Sequence, residues 1–169
     1  MLVGVESTAA RGRRSHAGVG DNGLGAGVTC AGWVQPALLR NFYGAADVLV
    51  VPSIATRTFR EPWGLVINEA FNQQLAVITT DAVGAAAGGL VRNGANGLVV
   101  PADDVTALAE AMQRLANEPA LRKRMGETGA ADVRAYTHES WADGFSAALR
   151  SVGASLHRAA GAGRAGSVA

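Results

Sequence analysis

Two carboxylates frame the stretch Glu61-Pro62-Trp63-Gly64-Leu65-Val66-Ile67-Asn68-Glu69-Ala70-Phe71. If both sat on one helix, eight residues would separate them by ~12 Å along its axis, too far for a paired acid and base. They need a longer ligand between them. Pro62 and Gly64 place Glu61 in the loop that leads into a helix, and Gly64 lets the backbone approach a ligand closely. Glu69 then falls about one turn inside the helix. Between the two lie the amides of Gly64, Leu65 and Val66, which a first helical turn leaves unpaired. Together with the helix dipole they suit an anion such as a pyrophosphate. A ligand with hydroxyls on one side of a pyrophosphate and a ribose on the other satisfies all three elements, and a nucleotide sugar is such a ligand. The spacing alone also fits a surface-loop carboxylate and a solvated helix residue.

The rest of the chain must position this segment. Short apolar runs alternate with amphipathic stretches, the pattern of parallel strands joined by crossover helices. Val28 to Ala31 reads as a strand, with Leu2 to Val5 as a further candidate. Pro36 opens a helix whose Leu38, Leu39, Phe42 and Tyr43 keep helical spacing up to Ala46. Asp47 to Val51 is apolar on both faces, as a central parallel strand must be. A loop leads to a helix over 65–73, then to the strand Ala76 to Thr79, a glycine-rich connection and a last short strand from Gly97 to Pro101. Asp103 or Asp104 caps a helix carrying Leu108, Met112 and Leu115. Pro119 begins the next helix, expected to reach Tyr136 with Arg122, Lys123 and Arg124 on an exposed face. Thr137 caps the last helix, whose Trp141, Phe145 and Leu149 read as core packing. In such α/β sheets ligands bind beyond the carboxyl ends of the strands. That points to the loop after Ser53, the connection after Thr80 and the turn from Trp33 to Gln35.

A chain of 169 residues with 49% apolar content is the size of one domain and has enough apolar matter for a core. Fifteen basic residues against fourteen acidic ones leave a charge of +1, which argues against nucleic acid as a partner. Cys30 is the single cysteine, so an internal disulfide is excluded and the chain reads as cytoplasmic. No apolar run suggests a transmembrane segment, and the start lacks the layout of a secretory signal. Residues 1–27 read as an atypical or poorly ordered segment, 28–150 as the ordered domain and 151–169 as a disordered tail.

From Val28 to Arg150 the chain resembles the second domain of the family-4 (group 1) retaining glycosyltransferases. VTCAGWV followed by LLRNFYGAADVLVVPS is similar to the family's strand, helix and strand leading to the site. EPWGLVINEAF matches its two glutamates separated by seven residues, and AVITTDAVGAA with LVRNGANGLVVPADD resembles its next strand, glycine connection and closing strand. The resemblance implies a Rossmann-like parallel sheet with flanking helices, the incomplete carboxy-terminal half of a GT-B fold. By the same resemblance Glu61 is catalytic, contacting the donor sugar's hydroxyls and stabilising its positive charge in the transition state. Gly64 lets the backbone approach the donor, the Leu65 and Val66 amides bind the pyrophosphate, Glu69 holds the ribose and Val34 lies near the nucleobase. The family needs no metal and no cofactor beyond its nucleoside diphosphate sugar. The donor's base and sugar and the acceptor are left open.

Departures from the family pattern matter as well. Its acceptor-binding first domain has no counterpart here, so a separate amino-terminal half is an expected partner and the chain alone is expected to transfer no sugar. Arg11, Arg13 and Arg14 do not match the family's Arg and Lys on the diphosphate. VGAAAGGLV stands where relatives carry a Pro with an acidic residue. Two other classes are weighed: a non-catalytic Rossmann-like interaction module or decayed fragment, and a dinucleotide oxidoreductase, the latter disfavoured because no G-x-G-x-x-G opens a helix after a strand. His16, His138 and His157 are read as structural, Arg57 and Arg60 as exposed or locally paired, and Arg92 as solvated.

Overall fold

In the computed structural model of the chain, residues 2–5 and 27–152 are described. The amino-terminal segment over 6–26 and the tail over 153–169 lie outside the described residues, and His16 and His157 with them. Strand β1 (Leu2–Val5) pairs in parallel with β2 (Val28–Gly32), Leu2 opposite Val28, which bears out the extra strand. Helix α1 (Pro36–Ala45) begins on a proline, whose missing amide would have been unpaired in a first turn anyway. Then come β3 (Val48–Val51), α2 (Leu65–Asn72), β4 (Ala76–Thr80), a single turn α3 (Gly84–Ala87) and β5 (Gly97–Val100). Helices α4 (Val105–Asn117) and α5 (Pro119–Asp132), a 3₁₀ turn (Val133–Ala135) and α6 (His138–Ser151) complete the order.

Strands β3, β4 and β5 form a parallel sheet in sequence order, with Val48 opposite Ala76 and Val77 opposite Gly97. The central strand is β4, buried at all five residues. The run expected to be central, Asp47 to Val51, supplies β3 instead. Among the described residues β3 bonds to β4 alone, and Val51 is its one buried residue. An apolar run reports cover on both faces, not the number of neighbours in the ladder. Strand β4 alternates its side chains between two cores. Val77 joins Ile67, Phe71, Val83 and Leu90 on one face, while Ala76 and Ile78 join Leu98, Leu115, Leu121 and Met125 on the other.

The helices bear out most of the pattern and correct part of it. Of the two candidate caps for α4 it is Asp104 that accepts the Ala107 amide, at 2.9 Å. Leu115 is buried and Leu108 and Met112 pack beside it. Thr137 caps α6 by accepting the Ser140 amide at 3.1 Å. Helix α5 stops at Asp132 and tightens into the 3₁₀ turn before Tyr136. The stop coincides with the Asp132 carboxylate turning to Arg92 at 2.6 Å and to Asn96 at 2.8 Å. Arg92 is therefore ion-paired, not merely solvated. Arg122 also departs from the exposed face expected of it. Its side chain is 21% exposed, pairs with Asp47 at 3.0 Å and donates to the Leu115 carbonyl at 2.7 Å, closing the carboxyl end of α4. Trp141 and Phe145 reverse the core expectation: they are 70% and 52% exposed, stacked on one another with ring centroids 5.3 Å apart. Four-residue spacing puts side chains on one face of a helix but does not supply a surface to cover that face.

Candidate functional site

The loop after β3 is tied at one end to β4 and at the other to the turn α3. The Thr80 hydroxyl donates to the Ser53 carbonyl at the exit of β3. Farther on, the Gly84 amide donates to the Glu61 carbonyl at 3.2 Å and the Ala85 amide to the Trp63 carbonyl at 2.9 Å. The VGAAAGG connection thus forms the turn α3, whose amino end grips the Glu61 to Trp63 backbone. Small residues are required for that approach. A Cβ at Gly84 would overlap the Pro62 carbonyl, and one at Gly88 would press on the Trp63 ring. Trp63 is held further by its indole N–H, which donates to Asn68 Oδ1 at 2.9 Å, and by the Tyr136 ring 5.7 Å away.

Gly64 ends the loop with φ 84° and ψ 63°, a left-handed conformation that favours glycine. It is buried, and a Cβ there would crowd Val83 and Ile67. The turn aims the chain into α2, whose Ile67 amide donates to the Gly64 carbonyl at 2.9 Å. The amides of Leu65 and Val66 have no acceptor within a first turn, and no side chain caps the helix. Leu65 is 70% exposed and Val66 is exposed beside it, while Ile67, Ala70 and Phe71 anchor the opposite face in the core. The amino end of α2 is a rigid, open set of donors with the positive end of a helix dipole behind it.

Glu61 is half-buried at the foot of this loop, and Glu69 is exposed on α2. Tyr43, at the end of α1, donates its hydroxyl to Glu69 Oε2 at 2.6 Å. Burial, and then the bond to Glu69 and its charge, push the Tyr43 pKa far above its ordinary value, so the phenol stays a donor. Val34 is half-buried in the turn after β2, beside an exposed Trp33. Glu61, Gly64, Leu65, Val66 and Glu69 thus share one continuous loop and helix, whereas no hydrogen bond joins Val34 to them among the described residues. Arg57 and Arg60 are exposed and form no ion pair among the described residues. Among those residues no three His, Cys, Asp or Glu side chains converge as metal ligands would. No described helix is long and apolar enough to cross a membrane. In the sequence Tyr43 stands only as an apolar helix position. Its partner lies 26 residues away, and only the fold brings them together.

An open helix start beyond the carboxyl end of a parallel strand, reached through a clamped glycine loop, is in an α/β domain a geometry that suits an anion. The chain belongs to the glycosyl transferases group 1 family, which it matches over residues 1–118. It is 36% identical over 115 residues to a D-inositol 3-phosphate glycosyltransferase of Thermobifida fusca, a match covering 66% of this chain and 24% of that protein. With the capsular polysaccharide biosynthesis glycosyltransferase CapM of Staphylococcus aureus it shares 37% over 89 residues, 53% of this chain and 22% of the other. The chain spans about a quarter of the length of the curated relatives it matches.

Among solved structures, a sucrose-phosphate synthase from Thermosynechococcus elongatus aligns with a TM-score of 0.72 and 35% identity over 89% of this chain and 37% of its own. The C-terminal domain of a glycosyl transferase group 1 family protein from Francisella tularensis aligns with a TM-score of 0.64 and 24% identity over 75% of this chain and 62% of that one. Anabaena HepE, in complex with UDP, aligns at 0.72 and 21% identity over 89% of this chain and 40% of its own. The fold is the one expected, that of the carboxy-terminal half of a GT-B glycosyltransferase.

Proposed function

We propose that this chain is the donor-binding half of a retaining glycosyltransferase, taking a nucleoside diphosphate sugar and passing the sugar to an acceptor hydroxyl. The observation that carries the reading is the left-handed Gly64, which presents the Leu65 and Val66 amides at the open start of α2. In this reading those amides hold the pyrophosphate and stabilise the charge that grows on the departing nucleoside diphosphate. Glu61 faces the sugar, accepts from its hydroxyls and stabilises the positive charge of the transition state. Glu69 accepts from the ribose hydroxyls, and Val34 lies against the base. The bond from the anomeric carbon to the phosphate oxygen breaks as the acceptor oxygen forms its own on the same face. The acceptor's proton leaves with the diphosphate.

The reading is supported by family membership and by the likeness to a sucrose-phosphate synthase and to a protein that binds UDP. An acceptor-binding half belongs to the same proposal. A cleft closed from one side only neither positions an acceptor nor excludes water. The 169 residues alone are therefore expected to bind donor and transfer nothing.

The test is the unfolding midpoint of the purified chain with UDP, GDP, ADP and their sugars, beside Glu69→Ala. A rise with one base that the substitution removes is the expected result. A cooperative chain that no nucleotide stabilises would favour the alternative, a non-catalytic interaction module, for which the exposed Trp141 and Phe145 pair is the supporting observation.

A further inference from the structure

Glu69 is an exposed side chain on a helix, and such a carboxylate is free to turn between rotamers. In this chain it does not stand alone. The Tyr43 hydroxyl donates to Oε2 at 2.6 Å, and the Tyr43 ring is packed against the core that contains Ile67 and Phe71. One end of the bond is thus anchored in the rigid part of the molecule, and Glu69 is fixed from a different helix than its own. Oε1 has no partner among the described residues and remains open to a ligand donor.

We propose that Tyr43 is a positioning residue, holding Glu69 Oε2 so that Oε1 is already aimed at a ribose hydroxyl before a nucleotide arrives. The proposal rests on the donor-site reading of Glu69 given above. Its physical content is preorganisation: a carboxylate held in its binding rotamer need not be ordered when the ligand binds. The raised Tyr43 pKa agrees with this role, since it keeps the phenol protonated and able to donate. Phenylalanine at this position would preserve the ring packing and remove only the donor.

The consequence is specific to the sugar hydroxyls. Tyr43→Phe should weaken a ribonucleotide while leaving untouched a nucleotide that offers Glu69 nothing to bind. The experiment is calorimetric titration of the full chain, native, Tyr43→Phe and Glu69→Ala. The probes are whichever of UDP, GDP and ADP binds the native chain best, and its 2′,3′-dideoxy counterpart.

The expected result is about three- to tenfold weaker binding of the ribonucleotide by Tyr43→Phe, from the lost ordering of one side chain, with the dideoxy affinity unchanged. Glu69→Ala should erase the preference for ribose altogether. Equal weakening of both nucleotides by Tyr43→Phe would mean that the tyrosine only supports the fold, and no weakening of either would mean that Glu69 needs no positioning; each overturns the proposal while the donor site stands. A native chain that binds none of the three nucleotides, or a ribose preference that survives Glu69→Ala, would refute the donor-site reading and this proposal with it.

Discussion

Among the described residues, strand β4 and helix α6 are the extremes. All five residues of β4 are buried between two cores, whereas α6 has fourteen residues and buries none of them. Helix α1 resembles α6 in this respect, with no buried residue along its length. The candidate donor segment lies where these regimes meet. Helix α2 sinks Ile67, Ala70 and Phe71 into the core and keeps Leu65, Val66 and Glu69 outside. An anion site built on backbone amides requires that arrangement, because donors left open to a ligand must be fixed by what lies behind them. The contrast also separates stability from function. Substitutions behind α2 should unfold the chain, those on α6 should leave folding alone, and those in the clamp around Gly64 should do some of each.

The largest effect is expected from Phe71→Ala, which empties the centre of the core behind α2 and should cost about 3 to 5 kcal/mol in urea unfolding; a loss under 1 kcal/mol would mean that α2 is not anchored as described. Next comes Gly84→Ala. Its new methyl meets the Pro62 carbonyl, so a loss of about 1 to 3 kcal/mol from overpacking is expected together with weaker nucleotide binding. Stability lost with binding intact would detach the clamp from the site. A third effect is visible only in acid. The hydrogen bond from Arg92, against a desolvation cost and with help from Asn96 and the Arg92 charge, holds the Asp132 pKa below its ordinary value. A lowered folded pKa gives stability that is full above the unfolded value and lost as the pH falls through the folded one. Unfolding followed from neutral pH downward should show that loss in the native chain and a flatter limb in Asp132→Asn, and identical limbs would deny Asp132 the role. The smallest effect is expected at the other pole: Trp141→Ala should stay within about 0.5 kcal/mol of the native chain, as surface substitutions do. A cost like that at Phe71 would show that α6 is covered.

Much of this was legible beforehand, and the misses share a cause. Local signals served well: Pro36 and Pro119 start helices, Asp104 and Thr137 cap them, and Glu61 to Phe71 is the loop and helix expected of it. The errors concern what lies across the chain. Asp47 to Val51 announced an apolar strand but not that β4, rather than β3, would be central. Arg122 carried no sign that Asp47 and the Leu115 carbonyl would receive it. Trp141 and Phe145 kept core spacing on a helix whose face nothing covers among the described residues. At the site, the two glutamates and the glycine stood out by type and spacing. The clamp of Gly84 on Glu61 and the bond from Tyr43 to Glu69 did not, because each joins residues distant in sequence. The glycine-rich departure from the family pattern was visible, but its purpose, room for the Pro62 carbonyl, is a matter of packing.

The central claim is that the open amides at the start of α2 hold a diphosphate. Titrating UDP, GDP and ADP into the isotopically labelled chain, while following backbone amide resonances, tests it most directly. With one of the three, the account predicts saturable shifts that are largest at Gly64, Leu65 and Val66, and that vanish from Leu65 and Val66 when the nucleoside without phosphates is used instead. Saturable shifts centred elsewhere, with Leu65 and Val66 unmoved, would contradict it.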